Sequence, residues 1–245
     1  MKKATVIIVL AAIASSVALQ SCTSNNQADA KMQKPTTEST AVKTELVSSK
    51  MDAKGLSNKA DAINMQNMQD AFKGETTASA KYKAYSKKAE AEGYHEIALL
   101  FKAASTSENI HAKNHQAVLE AAGQEVAAIT PEFSVRSTAE NLKDAIAGES
   151  YEISTMYPDF LKNAQTAGNQ LSLLSLNYAY KTEQKHKPLY EKALAALQNK
   201  TVSSLPAVYY VCSTCGNTYD ATAPKRCGIS MTSSERFIKI NSLHS

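Results

Sequence analysis

Glu108-x-x-His111 recurs as Glu183-x-x-His186, 75 residues later in a chain of 245, and both copies fall on the apolar stripe of a long helical pattern. A glutamate is rarely buried unless something compensates its charge. Five of them, Glu75, Glu108, Glu149, Glu152 and Glu183, sit at inner positions here. That doubled arrangement constrains the fold more than any other feature of the chain.

The helical periods are read from residues three and four apart. A first helix is predicted over 61–92, with Met65, Met68, Phe72, Glu75 and Tyr82 on one face and Gly93 ending it. A second covers 95–122, its stripe being Ile97, Phe101, Ala104, Glu108, His111 and His115. After a connection over 124–137, Thr138 reads as an N-cap, and a third helix follows over 139–166. Its stripe is Leu142, Ala145, Glu149, Glu152 and Met156, and Pro158 should kink it or force a local adjustment. A fourth helix covers 170–198, with Leu176, Ala179, Glu183, His186 and Tyr190 inward.

The helices form a repeat. Ala71-Phe72-Lys73-Gly74-Glu75 matches Ala145-Ile146-Ala147-Gly148-Glu149, so two hairpins follow one plan. The expected fold is an all-α four-helix bundle over 58–202, with a connection between hairpins long enough to cross it. One Glu from each of two helices and a Glu-x-x-His from each of the others is the carboxylate design that holds two iron or manganese ions. Four carboxylates balance two dications, and the metal charge keeps buried carboxylates ionised. Glu152 is an extra carboxylate, since its counterpart in the first hairpin is Ala78. Tyr82 and Tyr157 are placed to donate hydrogen bonds to bridging carboxylates. His115 taken alone reads as a supporting or surface group.

The ends of the chain read differently. Lys2 and Lys3 precede an apolar run over 4–18, and Leu19-Gln20-Ser21-Cys22 follows. The run is short for a membrane span and polar sequence begins directly after it. This order resembles a bacterial lipoprotein signal over 1–21. The resemblance implies cleavage before Cys22, lipidation of Cys22 and a lipid anchor to a membrane outside the cytoplasm. Residues 22–57 are polar and poor in aromatics and are expected to be a flexible tether. The net charge of +4 falls to about +2 without the two leader lysines, too little to suggest a nucleic-acid partner. From residue 203 the composition changes. Tyr209-Tyr210-Val211 and Phe237-Ile238-Lys239-Ile240 read as short strands around Cys212-x-x-Cys215-Gly216 and Cys227-Gly228-Ile229-Ser230.

These runs, together with Glu108-Asn109-Ile110-His111-Ala112, Met156-Tyr157-Pro158 and Glu183-Gln184-Lys185-His186, resemble a rubrerythrin, a ferritin-like di-iron protein with a rubredoxin-like tail, over 58–242. The resemblance implies a peroxidase that reduces hydrogen peroxide to water at a reduced di-iron centre. Electrons would come from an unidentified donor, and the protein would be a homodimer. It carries Glu75, Glu108, Glu149 and Glu183 onto the carboxylates that hold or bridge two irons, and His186 onto a histidine of one iron. His111 and Glu152 fall on the pair that exchanges on the other iron as its oxidation state changes. A ferroxidase or iron-handling role, and a non-catalytic metal-binding lipoprotein, are the alternatives. In the domain over 203–245 the fourth thiolate position is Ser230, so Cys212, Cys215 and Cys227 alone match. Three outcomes stay open there: an iron site with three thiolates and one oxygen, a zinc or other structural metal site, and a metal-free tail with a Cys212–Cys215 disulfide.

Overall fold

Ser137, with a side-chain oxygen on the Glu140 amide and Glu140 reaching back to it, opens the second half of the bundle through a capping box. The N-cap is thus one residue earlier than the Thr138 expected from sequence, because only Ser137 places a Glu at the third helical position. The computed structural model describes residues 41–244, with side chains from residue 55 onward. The leader, the Cys22 cleavage and lipidation site and the first part of the tether lie outside the described residues.

The described residues form five α-helices. They are α1 (Ala41–Ala91), α2 (His95–Ala121), α3 (Thr138–Tyr151), α4 (Tyr157–Thr166) and α5 (Gln170–Gln198). Helix α1 begins well before residue 61, so 41–57 is helical and not the flexible tether that the sequence suggested. The absence of an amphipathic stripe there speaks to burial. Helix formation needs only tolerable propensity, and extending an existing helix adds one hydrogen bond per residue without a new nucleus. Gly93 (φ 81°) ends the first hairpin helix as a left-handed cap, with the Tyr94 amide on the Ala89 carbonyl at 2.9 Å. The third predicted helix is split into α3 and α4 by a π-helical turn, Glu152–Met156. Pro158 has no N–H to give to the carbonyl four residues back, and the turn absorbs that loss just before it.

The connection over 123–137 runs along α1. It accepts a hydrogen bond from Gln69 Nε2 at the Glu125 carbonyl and ends where Glu92 Oε2 accepts from the Thr138 amide. Those contacts are 23 residues apart on α1, roughly 35 Å of helix, so the connection crosses the length of the bundle. From residue 45 onward the chain is one compact unit. Two apolar clusters lie along the bundle. One holds Tyr82, Tyr85, Phe101, Leu142 and Tyr190, the other Met68, Phe72, Leu119, Tyr157 and Leu176. Glu75, Glu108, Glu149 and Glu183 are buried between them.

The C-terminal segment adds a three-stranded antiparallel sheet, β1 (Tyr209–Cys212), β2 (Thr218–Asp220) and β3 (Phe237–Ile240), in the order β2-β1-β3. Its inner residues Tyr209, Val211 and Ile240 belong to the same apolar cluster as Tyr82 and Phe101, so sheet and bundle share a core. No helix among the described residues is long and apolar enough to cross a membrane.

Candidate metal centre

Helical spacing brings the two Glu-x-x-His pairs into register on α2 and α5, and the fold then folds them over one another. His111 Nδ1 lies 3.0 Å from Glu108 Oε2, 3.0 Å from Glu183 Oε1 and 3.6 Å from Glu75 Oε1. His186 Nδ1 lies 2.6 Å from Glu183 Oε2 and 3.2 Å from Glu108 Oε1. Two four-residue donor sets result: Glu75, Glu108, His111 and Glu183, and Glu108, Glu149, Glu183 and His186. Glu108 and Glu183 belong to both, each turning one oxygen toward each histidine. Glu75 and Glu149 belong to one set apiece. The chain is thus built to hold two ions side by side, with two shared carboxylates and two unshared ones.

The donors fit such ions. Both oxygens of Glu108, Glu183 Oε1, Glu149 Oε2 and His111 Nδ1 are sealed from solvent with no hydrogen-bond geometry to any protein group. Their lone pairs converge instead of pairing, which is costly unless a cation sits among them. The histidines are held from behind. His111 Nε2 is 3.1 Å from the Cys215 carbonyl, which can only accept, so Nε2 carries the proton and Nδ1 keeps its lone pair for the cluster. His186 Nε2 is 3.0 Å from Thr218 Oγ1.

Without metal, Glu75, Glu149 and the two imidazoles favour their protonated forms. Burial, then the charge of Glu108, pushes Glu75 up to about 8, and burial with Glu183 pushes Glu149 up as well. Burial opposes protonation of His186, but Glu183 and Glu108 outweigh it and raise the ring to about 10. His111 is raised by Glu183 and Glu75 against the same cost. Glu108 and Glu183 are lowered, the two imidazoles overcoming desolvation. Two dications would displace these protons and take over the charge balance.

The tyrosines act crosswise. Tyr82 on α1 donates to Glu149 Oε1 at 3.0 Å, and Tyr157 on α4 donates to Glu75 Oε1. They therefore hold the unshared carboxylates, where the sequence had suggested the bridging ones. The bridging glutamates use all their oxygens on the cluster and have none left to accept a phenol. Glu152 lies outside both donor sets, half-buried at the head of the π-helical turn. Burial, then the charge of Glu75, raises its carboxyl.

A family model described as Rubrerythrin matches residues 66–194, just over half of the chain. The chain is 32% identical over 169 residues to rubrerythrin-2 of Clostridium acetobutylicum, covering 68% of this chain and 91% of that protein. It belongs to the rubrerythrin family. Nigerythrin of Nitratidesulfovibrio vulgaris is 32% identical over 170 residues, covering 68% of this chain and 81% of its own. The structure described as the fully reduced, all-ferrous state of nigerythrin superposes with a TM-score of 0.65 at 30% identity, over 72% of this chain and 86% of that one. A bacterioferritin from Desulfovibrio desulfuricans, at 20% identity and a TM-score of 0.55, shares the fold alone. The chain is thus a rubrerythrin-family di-iron protein with a ferritin-like bundle and a small antiparallel sheet.

The second cluster lies in that sheet. Cys212, Cys215 and Cys227 are buried, free and close enough to share one ion. Cys215 Sγ is 3.4 Å from Cys227 Sγ, and Ser230 Oγ is 3.3 Å from Cys212 Sγ, so Ser230 faces the thiols. With Cys212 and Cys215 free, the disulfide alternative is not the arrangement observed. The neighbouring Cys215 thiol, aided by Ser230, pulls the Cys212 thiol down from its ordinary value against the cost of burial.

The two clusters meet at Gly216, and the sequence had not revealed this. Ser107 Oγ donates to the Gly216 carbonyl at 2.7 Å, Asn114 Nδ2 to the Thr214 carbonyl at 2.9 Å and Thr182 Oγ1 to the Cys215 carbonyl at 3.3 Å. Gly216 is left-handed (φ 78°), and a Cβ there would strike His111 Nε2 and come within 2.8 Å of Ser107 Oγ. A signal was present: a hydroxyl residue, Ser107 or Thr182, immediately precedes each Glu-x-x-His. His115, read as a supporting or surface residue, is completely buried.

Proposed function

We propose that this protein reduces hydrogen peroxide to water at a two-iron centre. The observation that supports it best is the pair of overlapping donor sets sharing Glu108 and Glu183, backed by the Cys215 carbonyl on His111 and the Thr218 hydroxyl on His186. Two ferrous ions would supply the two electrons that cleave one O–O bond, with two protons completing two waters. The chain's own residues position that chemistry. Glu108 and Glu183 would span both ions, Glu75 with His111 and Glu149 with His186 would complete each side, and Tyr82 and Tyr157 fix the unshared carboxylates. Glu152, on a π-helical turn beside Glu75, is placed to exchange with His111 as charge at that side changes. A carboxylate suits the more highly charged ion and an imidazole the less charged one.

Cys212, Cys215, Cys227 and Ser230 would hold one further ion, iron or zinc. If it is iron, the Cys215 carbonyl on His111 Nε2 gives electrons a route of one residue and one hydrogen bond into the centre. The donor that delivers them is a separate redox protein, and the working unit is a homodimer. Mixing anaerobically reduced protein with peroxide, and separately with dioxygen, tests the assignment. Oxidation by peroxide should be much the faster, and faster oxidation by dioxygen would instead mark a ferroxidase.

The leader supports placement outside the cytoplasm, anchored through lipid on Cys22. Mass spectrometry of the native mature protein should find an acylated Cys22 peptide. An intact, unlipidated N-terminus would sink that placement.

A further inference from the structure

Beyond the carboxylate layer, the helix faces that carry the metal-facing residues continue as buried polar groups. Asn64 stands eleven residues before Glu75 on α1, and Ser172 and Ser175 stand eleven before Glu183 and His186 on α5. Eleven residues is close to three full turns, so these groups keep to the same stripe. His115 lies one turn past His111 on α2. Asn64, His115 and Ser172 are wholly buried, and Ser175 and Asn67 are nearly so. Two cross-helix hydrogen bonds join them: Asn64 Nδ2 to Ser172 Oγ at 3.0 Å, and His115 Nδ1 with Ser175 Oγ at 2.8 Å.

Three atoms of this set have no protein partner: Asn64 Oδ1, Asn67 Nδ2 and His115 Nε2. They come from α1 and α2, beside the apolar cluster of Met68, Leu119, Tyr157 and Leu176. Buried polar atoms left over in this way are ordinarily satisfied by ordered water. The inner end of the file packs against the support of the metal centre: the His115 ring lies 6.5 Å, centroid to centroid, from that of Tyr157, whose hydroxyl donates to Glu75. The outer end is the first turn of α5, where the Ser172 amide donates to the N-cap Asn169.

We propose that this file is a buried water site, held by Asn64, Asn67 and His115, through which protons reach the Tyr157–Glu75 side of the metal centre, with His115 as the relay. The relay rests on the peroxide-reducing function, which consumes two protons per peroxide at a centre closed by apolar clusters on both sides. Burial, and next the charge of His111, pushes His115 down to about 3, so the ring is neutral. A neutral imidazole that takes a proton at one nitrogen releases one from the other, so protons pass without a charge resting on the ring. The serine hydroxyls beside it accept and donate in the same way, while the asparagines hold water in place.

A high-resolution crystal structure of the metal-loaded full chain tests the site. Water within hydrogen-bond distance of all three atoms is expected, and a dry file overturns the proposal. His115→Leu then tests the relay. Metal content should be unchanged, peroxide turnover with excess reductant should fall about 100-fold, the low end for a positioned proton carrier, and the solvent deuterium isotope effect should rise. Ser175→Ala, a smaller change to the fold, should move both in the same direction by less. Unchanged turnover and isotope effect in both variants would overturn the relay. If wild type carries the waters but does not reduce peroxide, the functional reading and its relay fail while the water site stands.

Discussion

The bundle centre, made of carboxylates and imidazoles, and the cysteine cluster, made of thiols beside one hydroxyl, are both buried and only one hydrogen bond apart, yet they are assembled very differently. In the bundle every donor rides on a helix, and the repeat supplies each role twice: two shared carboxylates, two unshared ones, two imidazoles and two tyrosines crossing over to hold Glu75 and Glu149. In the sheet the donors come from the end of β1 and from the loops beyond it, once each, and a single residue, Ser230, stands where a fourth thiolate would complete the set. A hydroxyl binds metal weakly unless it loses its proton. The cluster therefore stays assembled while its affinity and potential shift. Duplication protects the plan of the first site, and nothing comparable protects the second.

The largest test of that contrast is Glu183→Ala. One change removes a carboxylate that serves both donor sets, so metal content and peroxide turnover should collapse together. The loss should exceed the roughly 10–100-fold typical of groups that only orient ligands. Metal analysis beside anaerobic single-turnover kinetics reads both, and two ions retained at full affinity would refute the shared role. Glu152→Ala should separate the two quantities. Both four-donor sets remain, so ferrous loading persists while turnover falls about 10-fold. Equal turnover would end the exchange account.

Gly216→Ala acts on the joint between the sites. A Cβ there meets the His111 ring and Ser107 in a left-handed backbone, so destabilisation of about 1–3 kcal/mol is expected, with electron entry slowed more than bundle metal content is reduced. Thermal melting and stopped-flow reduction through the cysteine site measure the two, and wild-type values in both would place the joint elsewhere. The smallest effect is expected from Ser230→Cys in iron-loaded protein. The visible spectrum should move toward four-thiolate iron with the bundle centre unaltered. An unchanged spectrum would mean that residue 230 does not reach the metal.

Much of the bundle was legible in sequence because helices announce themselves locally. Residues three and four apart share a face whatever the rest of the chain does, so α2 and α5 fall within a residue of their expected bounds. The same periodicity exposed glutamates where apolar residues belong, and their doubling pointed to a two-metal site. The start of α1 was not legible, because extending a helix requires no apolar stripe in the sequence. The Ser137 cap was missed by one residue, because neighbouring hydroxyls differ only in what lies three positions on.

What the sequence determined by itself was therefore the set of donors: which glutamates and histidines face inward, and that they come in pairs. What the tertiary structure alone decided was how the set is shared. Glu108 and Glu183 belong to both donor sets because α2 and α5 carry both histidines, Tyr82 and Tyr157 serve the hairpin opposite their own, and Gly216 comes to rest on a histidine more than a hundred residues earlier. No local period records these pairings. They are fixed by packing between segments far apart in the chain, where the lack of one Cβ at Gly216 decides whether the cysteine loop can reach the metal centre.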